Sequence, residues 1–547
     1  MNDQIPSWQQ IGVARRAQIS RKIPDAWKLP EYLLTKKNFL ELPKICGILS
    51  KSELEITEKR AVDIVSLVQT GLLTSVEVTI AFCKRAAIAH QTTNCLAEIL
   101  FEEAIAQAEA LDEYQRVHRK TRGPLHGLPV SVKEHIRLKG SRATSGLISW
   151  ANAEDTEDAH IVKIFREQGA VFHVKTTNPQ SLMSLETNSN IFGRTLNPHN
   201  ADLTSGGSSG GEAALLAMRG SILGIGTDIG GSIRVPCAAC GIYGLKPSVG
   251  RLPHSGLSGL HEGMQNIVGV VGPMALCPED LELFCTAALR PQPWLYEPSV
   301  IEIPWRITKS IPVHLKIGVM WNDSVVQPHP PVSRALKRTV SALKEAGHSV
   351  VDWEPHLHEQ IYNVANEAYF LDGGEEYFQT LEKGKEPPVA MLKWLLDTKA
   401  LRRYSIEDSF KVNATIEMLK TLYTKQWNAT KVDAIICPVR PTVAAVHDES
   451  RYWGYTSVFN VLDYSSVSIP VGTVNETDTW ENFPPASPKA MSSLDAWYRE
   501  LYDNAQGYKR YQDAPLSIQI VGRRLEEERT LRIATLISQL LAAYKPV

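Results

Sequence analysis

The sequence predicts an α/β fold in which one layered sheet, rather than separate α and β domains, organises a large core. Two observations carry this reading. Short apolar strands interleave with stretches of helical periodicity through most of the chain. One β–α–β unit is also clean: LKIGVMW (315–321), a helix near 332–347, and HSVVDWEP (348–355). At 547 residues the chain is long enough for such a domain.

The elements follow in order. Residues 1–50 read as an irregular, partly helical extension, because Pro6, Pro24, Pro30 and Pro43 interrupt any long helix. Apolar residues spaced by three and four then predict helices over 53–67, 75–89 and 96–114. LHGLPVSVKEH (125–135) is a loop entering a short strand that ends near Lys133. A helix around 159–168 and a strand at 170–175 come next, then a helix over 212–219 and a strand at 222–225. Two proline-bearing stretches, 291–312 and 474–491, read as surface loops within the domain.

Composition is that of an ordinary globular enzyme, with 43% hydrophobic residues, 22% charged residues and a net charge of −2. That balance gives no electrostatic case for nucleic acid or an anionic membrane as partner. MNDQIPSWQQ lacks an apolar signal core, and no run approaches the ~20 apolar residues of a spanning helix. The eight cysteines are scattered, which fits a reducing, cytoplasmic setting. Cys237 and Cys240 form one C-x-x-C without a second ligand pair, so they read as structural thiols rather than a zinc site.

The chemistry concentrates in TSGGSSGGE…GIGTDIGGSIRVPC, residues 204–237, where two serines stand among glycines. Glycine is costly inside regular elements, so this density implies close backbone approach to a reacting group. Around Ser208 the run matches G-x-S-x-G, but a polar loop precedes it where a nucleophile elbow needs a strand. Around Ser232 the context is better. An apolar strand runs into Asp228-Ile229-Gly230-Gly231-Ser232, so the N–H groups of Ile229, Gly230, Gly231 and Ser232 can converge on a developing oxyanion. A serine nucleophile also needs a base. Residue pattern leaves that open among His254 and His261 in a loop, and the lysines Lys133 and Lys246.

GGSSGGE…GIGTDIGGSIRVPC…YGLKPSVGRL resembles the signature of the amidase signature family of serine hydrolases, and LHGLPVSVKEHIRLKG resembles its lysine motif. PQSLMSLETNSNIFGRTLNP and APLSIQIVGRRLEEERTL fit as well, so the resemblance runs from about residue 50 to the C-terminus. GILSKSELEITE, LTSVEVTIAFCKRAAIAH and RYWGYTSVFNVLDYSS look especially like the fungal acetamidase or general amidase group. The resemblance implies an amidase signature domain over 51–547, with a twisted, mixed, mostly parallel sheet covered by helices on both faces.

It also implies roles. Ser232 matches the acylated nucleophile, Ser208 the bridging serine beside a cis peptide bond, and Lys133 the base. Ile229, Gly230 and Gly231 match the oxyanion donors. Ser209, Thr227, Asp228 and Arg234 match the supporting polar shell, and Leu182 a substrate-facing position. Lys246 matches no catalytic position. Glu134 and His135 depart from the aspartate and asparagine frequent in that motif. The implied reaction is hydrolysis of a small-molecule carboxylic amide through an acyl-enzyme, with esters or carbamates as alternative substrates. It needs neither metal nor organic cofactor, and a homo-oligomer is compatible with it. A neutral lysine near pH 7 requires its pKa to fall by about 3, equivalent to roughly 4 kcal/mol.

Overall fold

Strand and helix positions follow the burial of apolar side chains on both sides of one sheet. A computed structural model describes residues 7–307, 310–399, 401–503 and 506–544. The strands are β1 (Leu96–Ile99), β2 (Pro129–Lys133), β3 (Val171–Thr176), β4 (Asn188–Ser189), β5 (Gly193–Arg194), β6 (Leu223–Asp228) and β7 (Tyr243–Lys246). They continue with β8 (Val270–Ala275), β9 (Lys316–Val319), β10 (Ser349–Asp352), β11 (Ala434–Pro438), β12 (Ser466–Thr473) and β13 (Pro515–Val521). Eleven of them form a single sheet in the order β1-β3-β2-β6-β8-β7-β12-β13-β11-β9-β10, while β4 and β5 pair separately.

The sheet is mixed. β3-β2-β6 on one flank and β11-β9-β10 on the other are parallel. Through the centre, β6-β8-β7-β12-β13-β11 is antiparallel throughout, and β1 adds an antiparallel edge. The expectation of a mostly parallel sheet therefore holds on the flanks and gives way in the middle. Both faces are covered. In β11, Ala434 and Ile436 pack with helices Pro330–Glu345 and Glu527–Ala543, whereas Ile435 and Cys437 pack with helices His358–Ala368 and Ile406–Thr430. This is the period-two alternation of a strand between two helical layers.

Other differences from expectation are local. Trp8–Arg21 is a regular 14-residue helix, started by a Ser7/Gln10 capping box and lying wholly between Pro6 and Pro24. Residues 1–6 of the expected extension lie outside the described residues. Ile19, Leu33, Phe39 and Leu49 bury against Ile88 and Leu96, so the extension packs on the body of the protein. The predicted helix at 53–67 is two helices, Lys51–Thr57 and Ala61–Gln69. The predicted helix at 96–114 begins as strand β1, and its helix is Phe101–His118. Asn94, in the left-handed region at φ 54°, ends the preceding helix Ser75–Thr93 and releases the chain into that strand.

The parallel flank sets up the site. β2 and β6 are neighbours in parallel register, Val132 opposite Ile225, so Lys133 and Thr227 emerge at the same carboxyl edge. Helix Gly210–Ala217 packs across these strands through Glu212, which is buried. Its carboxylate accepts from Ser131 Oγ of β2 and, at 2.6 Å, from Thr176 Oγ1 of β3. Gly224 of β6 lies directly beneath it, and a Cβ there would collide with Glu212 Oε1. Because both hydroxyls fix that carboxylate, Gly224→Ala is expected to destabilise the fold by about 1–3 kcal/mol, read as a lower melting temperature.

Candidate active site

Lys133 closes β2 with its whole side chain buried. Its Nζ lies 2.6 Å from Ser208 Oγ and 2.9 Å from Thr227 Oγ1. Burial lowers its pKa from the ordinary lysine value to about 7, against the opposing pull of Asp228, Glu212 and Glu134. Those carboxylates have partners of their own. Glu134 turns away to accept the N–H groups of Thr144 and Ser145. Burial raises the Glu212 carboxyl to about 7.

Ser208 sits at the start of helix Gly210–Ala217, behind a cis Gly207–Ser208 peptide. Backbone surrounds Gly207 closely, so that a Cβ would lie 2.6 Å from Glu186 N and from Ser184 O. The Ser209 N–H donates to the Ser232 carbonyl at 3.1 Å, tying the two serine segments together. Ser209 Oγ and the backbone of Thr227 face each other at 3.3–3.4 Å. Ser232 follows β6 and is almost fully buried, with one side open to a pocket.

The loop from Asp228 to Arg234 is organised by a fully buried ion pair. Arg234 Nη2 and Nε reach the two Asp228 oxygens at 3.0 and 3.1 Å. The same carboxylate accepts the N–H groups of Gly231 and Ile233 and the amide of Asn460. Burial alone would raise its pKa, but Arg234 and these donors hold it well below the usual carboxylate range. The remaining Arg234 donors go to Gln519 of β13 and Asn460.

Two hydroxyls clamp the glycines between. Tyr369 Oη donates to the Ile229 carbonyl at 2.7 Å, and Thr456 Oγ1 to the Gly230 carbonyl at 2.6 Å. A trans peptide points its N–H opposite to its carbonyl, so the first clamp aims the Gly230 N–H away from Tyr369. The second aims the Gly231 N–H at Asp228 Oδ1, 2.9 Å away. Gly231, expected among the oxyanion donors, thus has its N–H engaged by the carboxylate.

A small pocket opens beside Ser232, walled by Leu182, Met183, Leu185, Ile229, Tyr369 and Trp453. Leu182 faces it from a left-handed backbone position at φ 66°. The other sequence candidates are engaged elsewhere. His254 and His261 contact Glu297 and Asp372. Lys246 is buried with Nζ donating to the Pro247 carbonyl. Cys237 and Cys240 are buried free thiols on helix Arg234–Cys240. Tyr369 carries no local sequence signal, whereas Trp453, Thr456 and Asn460 lie inside RYWGYTSVFNVLDYSS without glycine or serine clustering to mark them.

Known proteins resemble the chain along nearly its whole length. The family model described as Amidase matches residues 77–531. The acetamidases of Emericella nidulans and Aspergillus oryzae are 44% and 41% identical, each over 98% of this chain and at least 98% of the relative. A solved fatty acid amide hydrolase superposes with a TM-score of 0.93 at 33% identity, covering 98% of this chain and 95% of that one. The chain belongs to the amidase signature family. It is an amidase, a hydrolase of carboxylic amide C–N bonds. No described helix is long and apolar enough to cross a membrane.

Removing one member of the buried ion pair would strand the other. Arg234→Met is expected to cost about 3–5 kcal/mol, seen as a lower denaturation midpoint in urea.

Proposed function

We propose that the reaction runs through a Ser232–Ser208–Lys133 relay, and that the preferred substrates are small aliphatic amides. The observation carrying the relay is the buried, easily neutralised Lys133 amine 2.6 Å from Ser208 Oγ, on a segment hydrogen-bonded to that of Ser232. Lys133 takes a proton from Ser208 as Ser208 takes one from Ser232, and Ser232 Oγ attacks the amide carbonyl. The oxyanion forms against the N–H groups of Ile229, Gly230 and Ser232; losing one such donor typically costs roughly 2.7–4 kcal/mol in the transition state. The proton returns through the same relay to the leaving nitrogen, ammonia or an amine departs, and water releases the acid.

Two facts support a short acyl chain. The cavity beside Ser232 is small and narrowed by bulky side chains, among them Leu182, Met183, Tyr369 and Trp453. The two acetamidases also match this chain end to end. Eight free cysteines support a cytoplasmic location. The same acyl-enzyme chemistry would accept esters, and kcat/KM on matched amide and ester substrates ranks the two.

Ser232→Ala is expected to abolish both ammonia release from acetamide and covalent labelling by a fluorophosphonate; labelling at the wild-type rate would remove Ser232 from the role. Only neutral Lys133 can act as the base, so kcat/KM should rise with pH through about 7 and level off above it. Across straight-chain amides, kcat/KM should peak at two or three carbons. A maximum at long acyl chains would instead match the fatty acid amide hydrolase neighbour.

A further inference from the structure

His135 stands where the family's lysine motif often has asparagine, and the structure gives its imidazole two partners. Nδ1 lies 2.8 Å from the Ser258 carbonyl oxygen, and Nε2 lies 2.9 Å from Thr227 Oγ1. A carbonyl only accepts, so Nδ1 carries the hydrogen. Burial, reinforced by the neighbouring Lys133, keeps the ring neutral. Nε2 is then a bare acceptor, and the Thr227 hydroxyl must donate to it.

That direction has a consequence one residue further on. Thr227 has a single hydroxyl hydrogen; once it points at His135, the oxygen can only accept from Lys133 Nζ, 2.9 Å away. A neutral amine has two N–H bonds and one lone pair. Committing an N–H to Thr227 keeps the lone pair from being spent there, so it is free to accept from Ser208 Oγ, 2.6 Å away. The ring itself is held firmly. The Ser258 N–H donates to the His135 carbonyl at 2.8 Å, and Ile136 bridges to Leu257.

We infer that His135 is a positioning residue that, through the Thr227 hydroxyl, aims the Lys133 lone pair at Ser208. The imidazole neither gains nor loses a proton during turnover. Without its acceptor, the Thr227 hydroxyl is free to turn and donate to Lys133, competing with Ser208 for the lone pair. The inference rests on Lys133 being the base.

The test compares His135→Leu, His135→Gln, Thr227→Val and their combination, using kcat and KM on acetamide and the rate and final extent of fluorophosphonate labelling. His135→Leu should lower kcat and the labelling rate about tenfold or more, with KM changed less than about threefold and labelling still complete. His135→Gln, which restores an acceptor, should recover most of the lost rate. Thr227→Val should match His135→Leu, and the double variant should be no slower than either single one. A normal rate in His135→Leu or Thr227→Val, or additive losses in the double variant, would overturn the inference. Should His135→Leu fail to fold, the rate of Thr227→Val against Thr227→Ser decides, because His135 acts through that hydroxyl. Lys133→Ala separates the two levels: labelling as fast as wild type there refutes the base itself, whereas slow labelling there beside a normal His135→Leu refutes only the role of His135.

Discussion

The proposed relay depends on keeping a lysine amine out of water without giving it a carboxylate. Lys133 is sealed at the carboxyl edge of β2, where burial brings its pKa down to about 7. A carboxylate in direct contact would reverse that and fix the amine as an ammonium ion. Three acids nevertheless lie close enough to pull on it, and each is drawn off differently. Asp228 is neutralised by Arg234, Glu134 by backbone N–H groups, and Glu212 by two hydroxyls and its own burial. The polar shell is thus arranged to isolate the amine, and among the described residues its hydrogen-bond partners are hydroxyls.

The glycine loop after β6 obeys a related constraint. Glycine lets backbone approach a substrate, but leaves that backbone free to turn. Here the freedom is removed from outside. Carbonyls 229 and 230 are held by hydroxyls of Tyr369 and Thr456, and the loop's carboxylate by Arg234 and Asn460. In the proposed oxyanion site the donors are thereby aimed before any substrate arrives, which is the condition for electrostatic stabilisation without reorganisation. The Asp228–Arg234 pair also reaches β13 through Gln519, coupling the loop to the centre of the sheet.

How much was legible in the sequence depended on how local the chemistry is. The serine–glycine segments announce themselves because each needs small residues in an unbroken run, and helix Gly210–Ala217 and strand β6 fall within a few residues of their predicted positions. The central strands were not readable in the same way. β8 contains Gly272-Pro273 and β12 contains Pro470 and Gly472, residues that punctuate rather than propagate a strand pattern. β1 is buried at every position, so its apolar residues merge with the helical spacing that follows. Tyr369 and Thr456 lie 140 and 226 residues from the carbonyls they hold, beyond the reach of any spacing rule.

The order of strands has a consequence for synthesis on the ribosome. β13, made after both of its neighbours, is inserted between β12 and β11, not added at an edge. The two halves of the sheet cannot be joined through it until residue 521 has left the exit tunnel, and Gln519 arrives with it. A nascent chain that already carries Lys133, Ser208 and Ser232 is therefore still an unfinished sheet until β13 has emerged.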